Sequence, residues 1–268
     1  MSSAHRRTYF PALEHKAMKD WSVYELKDVP RADYLVVGMP DVGLVGLIAS
    51  TYLVRTLNAE MVAYLDSPHL PPVLLYHEAQ PYPVMRVHRI PAGGKEVLLL
   101  ASEVAIGVRG IYAFARHLVE WSRSKGVERL LLLGGVPSPQ RMKLEKPAVY
   151  GAGVTRDDVE LLEKSGFNLF REGFVSGPYA LILKECYMRS MKGIALLAES
   201  FLNYPDPGAA AAVLTALDPL LGLKVSVEPL LEQEEEIRAR LRETMKRTME
   251  AMRETGKAYE FTVPAMYV

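Results

Sequence analysis

A single cysteine, Cys186, stands in 268 residues. It has no partner for an intrachain disulfide, and a lone cysteine builds no Cys-rich zinc site, so a reducing, intracellular setting is expected. Side-chain amides are scarce too: Asn58, Asn168, Asn203, Gln80, Gln140 and Gln233 are all there are. A shortage of thermolabile amides fits a heat-adapted protein. Neither sign of charge is in excess, with 32 Lys+Arg against 32 Asp+Glu. Nucleic acid or an anionic membrane surface would call for a clustered basic surplus, and none is present. Long hydrophobic runs are missing as well. Pro207 to Leu217, the longest nearly uncharged apolar stretch, falls short of the ~18–20 residues that cross a bilayer. Met1 to Phe10 carries His5, Arg6 and Arg7 with no apolar segment behind them, so no signal peptide is expected. The expected location is cytoplasmic.

What is present is globular material: 49% hydrophobic and 24% charged residues, a balance that supports a packed core. The length suits one large domain, or one domain with an appendage. Short apolar runs at Tyr34–Val37, Val62–Leu65, Glu96–Ala101, Arg129–Leu133 and Ile194–Ala198 read as strands, and Val84–Ile90 alternates as one. The first ends at Gly38, and Gly134-Gly135 should close the one at Arg129–Leu133. Between them, helical periodicity covers Gly43–Leu57, Gly110–Lys125, Asp157–Lys164, Tyr179–Met191 and Gly208–Leu221. Thr155 is placed to cap the third of these helices and Gly166 to stop it. Asp206-Pro207 opens the last, with proline in its first turn. Strands alternating with helices predict an α/β protein, a three-layer α/β/α sandwich around a mostly parallel sheet.

The character of the chain changes after Val227. From Glu228 to Glu254 apolar residues recur mostly at helical spacing among 8 acidic and 6 basic residues, which predicts one amphipathic helix. Glu234/Arg238, Glu236/Arg240 and Glu243/Arg247 are i,i+4 pairs contributing only ~0.2–0.5 kcal/mol each, so the apolar stripe must do the docking. Gly256 should end this helix. The expected organisation is a core over residues 1–226, a helical segment over 227–255 and a flexible tail over 256–268.

The chemical motifs are sparse. Gly38-Met-Pro-Asp-Val-Gly43-Leu-Val-Gly46 follows a strand and opens a helix, but its spacing is neither a dinucleotide fingerprint nor a P-loop. The expected role of these glycines is a tight turn and close helix–sheet packing. His5, His15, His69, His77, His88 and His117 contain no H-E-x-x-H and no i,i+4 pair, so no metal is expected. His69 and His77 flank Pro71-Pro72 in a stretch with Tyr76, Tyr82 and Pro83, which reads as a surface loop or subunit contact. Ser102-Glu103 ends a buried strand where α/β sheets place ligands, yet no nucleophile order accompanies it. Cys186, between Glu185 and Tyr187 in an apolar helix, reads as a packed thiol. No cofactor and no catalytic residue is indicated. The tail, by contrast, carries Tyr259, Phe261, Val263, Met266, Tyr267 and Val268. That much apolar surface calls for a place to pack, on the body or in a partner's groove. Capture of a C-terminal carboxylate, with the preceding side chains in pockets, is one such mode.

Several blocks taken in order resemble one family: Tyr34-Leu-Val-Val-Gly-Met-Pro-Asp-Val-Gly-Leu-Val-Gly46, Leu132-Leu-Gly-Gly135, Gly173-Phe-Val-Ser-Gly177, and Ala198-Glu-Ser-Phe-Leu-Asn-Tyr-Pro-Asp-Pro-Gly-Ala-Ala210. The chain resembles the archaeal branch of the proteasome-assembly-chaperone family over roughly Asp33 to Glu254. That resemblance implies a fold similar to nucleoside phosphorylases without known enzymatic activity, and a homo-oligomer, tetramer or pentamer. It also implies a C-terminal hydrophobic-tyrosine-any motif that docks on the α-ring of the proteasome core. Met266, Tyr267 and Val268 fit the motif, with methionine where a branched or aromatic residue is usual. The implied function is an ATP-independent assembly chaperone or proteasome-binding regulator, its partner the core particle or its α-subunits. The alternative is an enzyme or binding protein for a nucleoside-like small molecule.

Overall fold

The computed structural model describes residues 20–254. In chain order the elements are β1 (Ser22–Glu25), β2 (Tyr34–Gly38), α1 (Val45–Thr56), β3 (Glu60–Asp66), β4 (Leu75–His77), β5 (Gln80–Tyr82), β6 (Met85–Ala92) and β7 (Lys95–Ser102). They continue with α2 (Ile111–Ser124), β8 (Arg129–Pro137), β9 (Val149–Gly153), α3 (Arg156–Lys164), β10 (Asn168–Leu169), α4 (Gly177–Met188) and β11 (Lys192–Ser200). Four helices close the described chain: α5 (Pro207–Leu221), α6 (Glu228–Glu232), α7 (Glu234–Arg240) and α8 (Arg242–Glu254).

Nine strands form one sheet in the order β1-β3-β6-β7-β2-β8-β11-β9-β10, while β4 and β5 pair as a separate hairpin. The centre, β7-β2-β8-β11, is parallel throughout. Antiparallel strands extend it on both sides, with β6 against β7 and β9 against β11. The short apolar runs of the sequence are the central strands, and their continuity follows from cover on both faces. Leu35 and Val37 of β2 point into one core with Leu98, Leu100, Leu130 and Leu132, under α2 and α4. Val36 points the other way with Val97, Leu99, Leu131 and Leu133, under α1 and α5. Helix, sheet, helix is the predicted three-layer sandwich.

The local signals behave as their chemistry requires. The Thr155 hydroxyl and Asp158 carboxylate form a reciprocal capping box at α3. Asp206 caps α5 by accepting from Ala209 N, with Pro207 in the first turn. Most boundaries shift by a residue or two, and those of β8 and α4 shift furthest. β8 runs on through Gly134-Gly135 to Pro137 because β11 pairs with it along its whole length. α4 starts at Gly177 and ends at Met188, since Met191 already turns into β11.

The segment after Val227 corrects the expectation of one helix. It is three short helices, broken at Gln233 and Leu241. The reason is packing: Leu230, Ile237 and Met245 all enter the α1–α5 core, and a straight rod could not follow that curved surface. Glu234/Arg238 and Glu243/Arg247 form ion pairs. Arg240, expected to pair with Glu236, instead lines a cavity. Gly256 lies outside the described residues. Among the described residues no helix is long and apolar enough to cross a membrane.

One polar group is buried at a cost. His88 on β6 has no exposed surface, and neither ring nitrogen has a partner of full hydrogen-bond geometry. Burial first, and the neighbouring Arg86 charge second, lower its pKa from 6.5 to about 3, with a contact to the Leu99 backbone opposing the shift. The folded state therefore keeps His88 neutral where the unfolded chain would protonate it. Stability present above pH 6.5 is lost as pH falls through the window down to about 3, by at most about 1.4 kcal/mol per pH unit from this group. Urea unfolding at pH 7, 5 and 4 should show this loss, and His88→Leu should flatten the slope relative to wild type. Parallel slopes for the two proteins would show that His88 does not titrate on unfolding.

Candidate functional site at the carboxyl edge of the sheet

In a doubly wound sheet the ligand crevice opens at the carboxyl ends of the strands, where successive connections leave to opposite faces. Here the chain leaves β2 for α1 on one face and leaves β7 for α2 on the other. The crevice therefore lies between Met39-Pro40-Asp41 and Val104-Ala105-Ile106, and it is filled. Thr248, Ala251 and Met252 of α8 pack into it, with Pro178 beside them, leaving about 20 Å³, room for little more than a water. Thr248 and Met252 are buried.

The glycine-rich turn beneath is closed from the other side. Gly43 sits at φ +60°, and a methyl group there would overlap the Ser200 hydroxyl. A methyl at Gly46 would overlap the Leu133 carbonyl oxygen. These glycines serve the tight turn and close packing that the sequence suggested. The Tyr179 hydroxyl fills what space remains: it accepts from Met39 N (3.0 Å) and donates to Leu133 O (2.6 Å). Burial, and then the Asp41 charge, hold its pKa well above the ordinary tyrosine value, so it stays a donor. The Met39 backbone N–H is thereby taken by a protein group.

Beside this turn, Arg141 and Asp206 form a bidentate pair, Nε and Nη2 each 2.8 Å from a carboxylate oxygen. Both side chains are buried. Asp206 also accepts from Ser200 Oγ, Phe201 N and Ala209 N, and Asp206 N donates to Gly43 O. A fully engaged carboxylate of this kind is a fastener rather than a base. It ties β11, α5 and the glycine turn together.

Of the other residues singled out by the sequence, Glu103 stands between two sets: it lines both the groove that His69 borders and the cavity that His77 and Tyr82 line. His69 borders a groove of about 450 Å³ beside α8, between Leu70, Val73 and Thr248. His77, on the hairpin, lines a separate cavity with Tyr82. The stretch is a surface feature, with Tyr76, Leu74 and Val73 exposed. The Ser102 hydroxyl donates to Val104 O, and Glu103 pairs with Arg86. Cys186 is buried, and desolvation followed by the Asp158 charge pushes its thiol up to about 12, so it stays protonated. Among the described residues no group of His, Cys, Asp or Glu is arranged to hold a metal ion. Met266, Tyr267 and Val268 lie outside the described residues; the described chain reaches Glu254, at the rim of the groove beside His69.

Sequence reasoning passed over Tyr179, which reads there as one more helical apolar residue, and over the Arg141–Asp206 pair, whose partners are 65 positions apart. Asp206 carried a signal as a helix cap, but nothing in the sequence names Arg141 as its partner.

The class defined by these features is a three-layer α/β/α sandwich whose crevice at the carboxyl edge of the sheet is closed by its last described helix, α8. The PAC2 family model matches residues 35–245, and the chain belongs to the PAC2 family. An uncharacterised protein of Methanocaldococcus jannaschii is 27% identical over 225 residues, covering 84% of this chain and 90% of the relative. Among solved structures, Pyrococcus furiosus PbaA, described as an archaeal homolog of proteasome-assembly chaperone, is similar with a TM-score of 0.78 and 29% identity, over 86% of this chain and 99% of that one. PbaB of the same organism, described as an archaeal proteasome activator, shares the fold with a TM-score of 0.72 at 24% identity, over 84% and 99%.

Two substitutions test this account of the site. Tyr179→Phe leaves a buried N–H and a buried carbonyl unpaired, and should cost about 1–3 kcal/mol. Asp206→Ala strands the buried Arg141 charge and uncaps α5, and should cost about 3–5 kcal/mol. Denaturant titration measures both; a neutral Tyr179→Phe would mean that the turn is not held by that hydroxyl.

Proposed function

We propose that this protein is an ATP-independent proteasome assembly chaperone or proteasome-binding regulator, acting in the cytoplasm as a homo-oligomer. Its docking element is Met266-Tyr267-Val268, and its partner is the α-ring of the core particle or the free α-subunits. The observation that carries the reading is PAC2 membership together with this C-terminal sequence. The names of PbaA and PbaB, a chaperone homologue and a proteasome activator, support the partner. The filled crevice supports a role outside small-molecule chemistry, and no observation favours a nucleoside-like ligand at the glycine turn.

In this mechanism the Val268 carboxylate pairs with a pocket lysine between α-subunits. Tyr267 buries its ring and hydrogen-bonds at the rim, and Met266 fills the apolar entrance, where its flexible thioether adapts to an irregular wall. Ordering the tail costs ~1–2 kcal/mol of backbone entropy per residue, so one tail binds weakly. An oligomer presenting several tails gains about 10²–10⁴-fold by effective concentration where the geometry permits. The division of labour follows: the body over residues 1–226 and the helices over 227–255 set where each tail departs, and residues 256–268 make the contact. Met245, Thr248 and Met252 anchor α8, which supports a fixed point of departure.

The decisive experiment is an interferometry titration of archaeal proteasome core particle against the intact protein and Tyr267→Ala. The intact protein should bind and the variant should lose that binding while keeping its circular dichroism and melting temperature. Equal binding by both would refute tail docking. Loss of oligomer stability in the variant would instead place the tail on a neighbouring subunit.

A further inference from the structure

A second space lies between the outward side of α1, the β5–β6 corner and the wall made by α6, α7 and α8. It is a cavity of about 620 Å³, within the size range of small-molecule sites. Its wall is apolar, with Ile48 on one side and Leu230, Ile237 and Leu241 on the other. Its charged lining is mostly cationic, from three separate elements: Arg55 of α1, Arg86 of β6 and Arg240 at the end of α7.

Arg86 is only 3% exposed. Its Nη1 donates to Pro83 O, its Nη2 to the Glu103 carboxylate, and its guanidinium carbon lies 4.2 Å from the centre of the Tyr82 ring. Its Nε is buried and has no acceptor, an expensive state for a charged donor. Glu103 is the one carboxylate lining the cavity, and Arg86 already uses it. Arg55 and Arg240 are exposed, and neither has an ion-pair partner among the described residues. A solitary surface arginine needs no explanation. Two without counter-charges, converging on an apolar cavity beside a buried guanidinium donor that lacks an acceptor, make a complementary shape for something negative. The planar guanidinium fork matches a carboxylate or similar oxyanion in two contacts.

We infer that this cavity binds an oxyanion, a carboxylate foremost, carried on an apolar body. The apolar part lies against Ile48 and Leu241, and the anion faces Arg55 and Arg240, with the buried Arg86 beside them. Two sources supply that chemistry: a free amphipathic carboxylate, or the terminal carboxylate of a peptide with apolar last residues, for which Met266-Tyr267-Val268 is the sequence tested. The inference stands apart from proteasome docking and is tested without the core particle.

The test is a fluorescence titration of the full-length protein with 8-anilinonaphthalene-1-sulfonate and with N-phenyl-1-naphthylamine, the same apolar body lacking the sulfonate. The charged probe should saturate one site per chain and bind about tenfold tighter than the neutral one. Replacing both exposed arginines, Arg55→Ala with Arg240→Ala, should erase that advantage while leaving the neutral probe and the melting temperature unchanged. Equal affinities for the two probes, or a charged probe indifferent to the double substitution, would overturn the inference. Displacement of the charged probe by decanoate assigns the site to a free carboxylate. Displacement by a peptide of residues 258–268 with a free C-terminus, but not by its amide, assigns it to the chain end. Displacement by neither would overturn the carboxylate assignment.

Discussion

The close approach of α1 to the sheet governs much of the rest. With no side chain at Gly46, the helix lies against the Leu133 carbonyl, at a distance that would not admit even a methyl group there. The same proximity lets the Tyr179 hydroxyl reach across from α4 and join Met39 N to Leu133 O. Two layers of helices and the two central strands thus meet at one oxygen atom. Gly43, whose carbonyl accepts from Asp206 N, brings the start of α5 into the same cluster, and Arg141 fastens it from the far side. Within the turn Met39 N donates to Tyr179 and Leu44 N to Asp41 O, so these donors are spent on internal connections.

That closure has a counterpart above it. The carboxyl edge of an α/β sheet is normally the open end, because loops gather there while helices cover the faces. In this chain the segment after α5 bends at Gln233 and Leu241 and comes over the edge, seating Thr248 and Met252. Its ion pairs are surface pairs of small worth, so its position rests on Leu230, Ile237, Met245 and Met252. The breaks matter for this reason. A rigid rod could bury one stripe against α5 or reach the crevice, but the curved path does both.

Much of this was legible in the sequence, and the limits have physical causes. The central strands were readable because burial on both faces makes them continuous apolar runs, and α3 and α5 because their caps are local chemistry. β1, β9, β10 and the β4–β5 hairpin were not read as strands: they are short, and their pairing is set by neighbours distant in the chain, such as Val149–Gly153 against β11. Periodicity also cannot distinguish one long amphipathic helix from three short ones sharing the same apolar face. At the site, the packing role of the glycines followed from their spacing. The hydroxyl that fills the turn, and the arginine that pairs with Asp206, belong to tertiary structure alone.

The family blocks and the closed crevice point in the same direction by independent routes. Three of those blocks, ending at Gly46, Gly135 and Ala210, are the segments that seal the turn: the glycine turn itself, the β8 stretch that passes under Gly43, and the β11–α5 junction with its Asp206 cap. What the resemblance marks is therefore the set of contacts that closes the glycine turn at the carboxyl edge of the sheet. Those contacts leave apart the flank between α1 and the three helices α6, α7 and α8, where Arg55 and Arg240 have no ion-pair partner among the described residues.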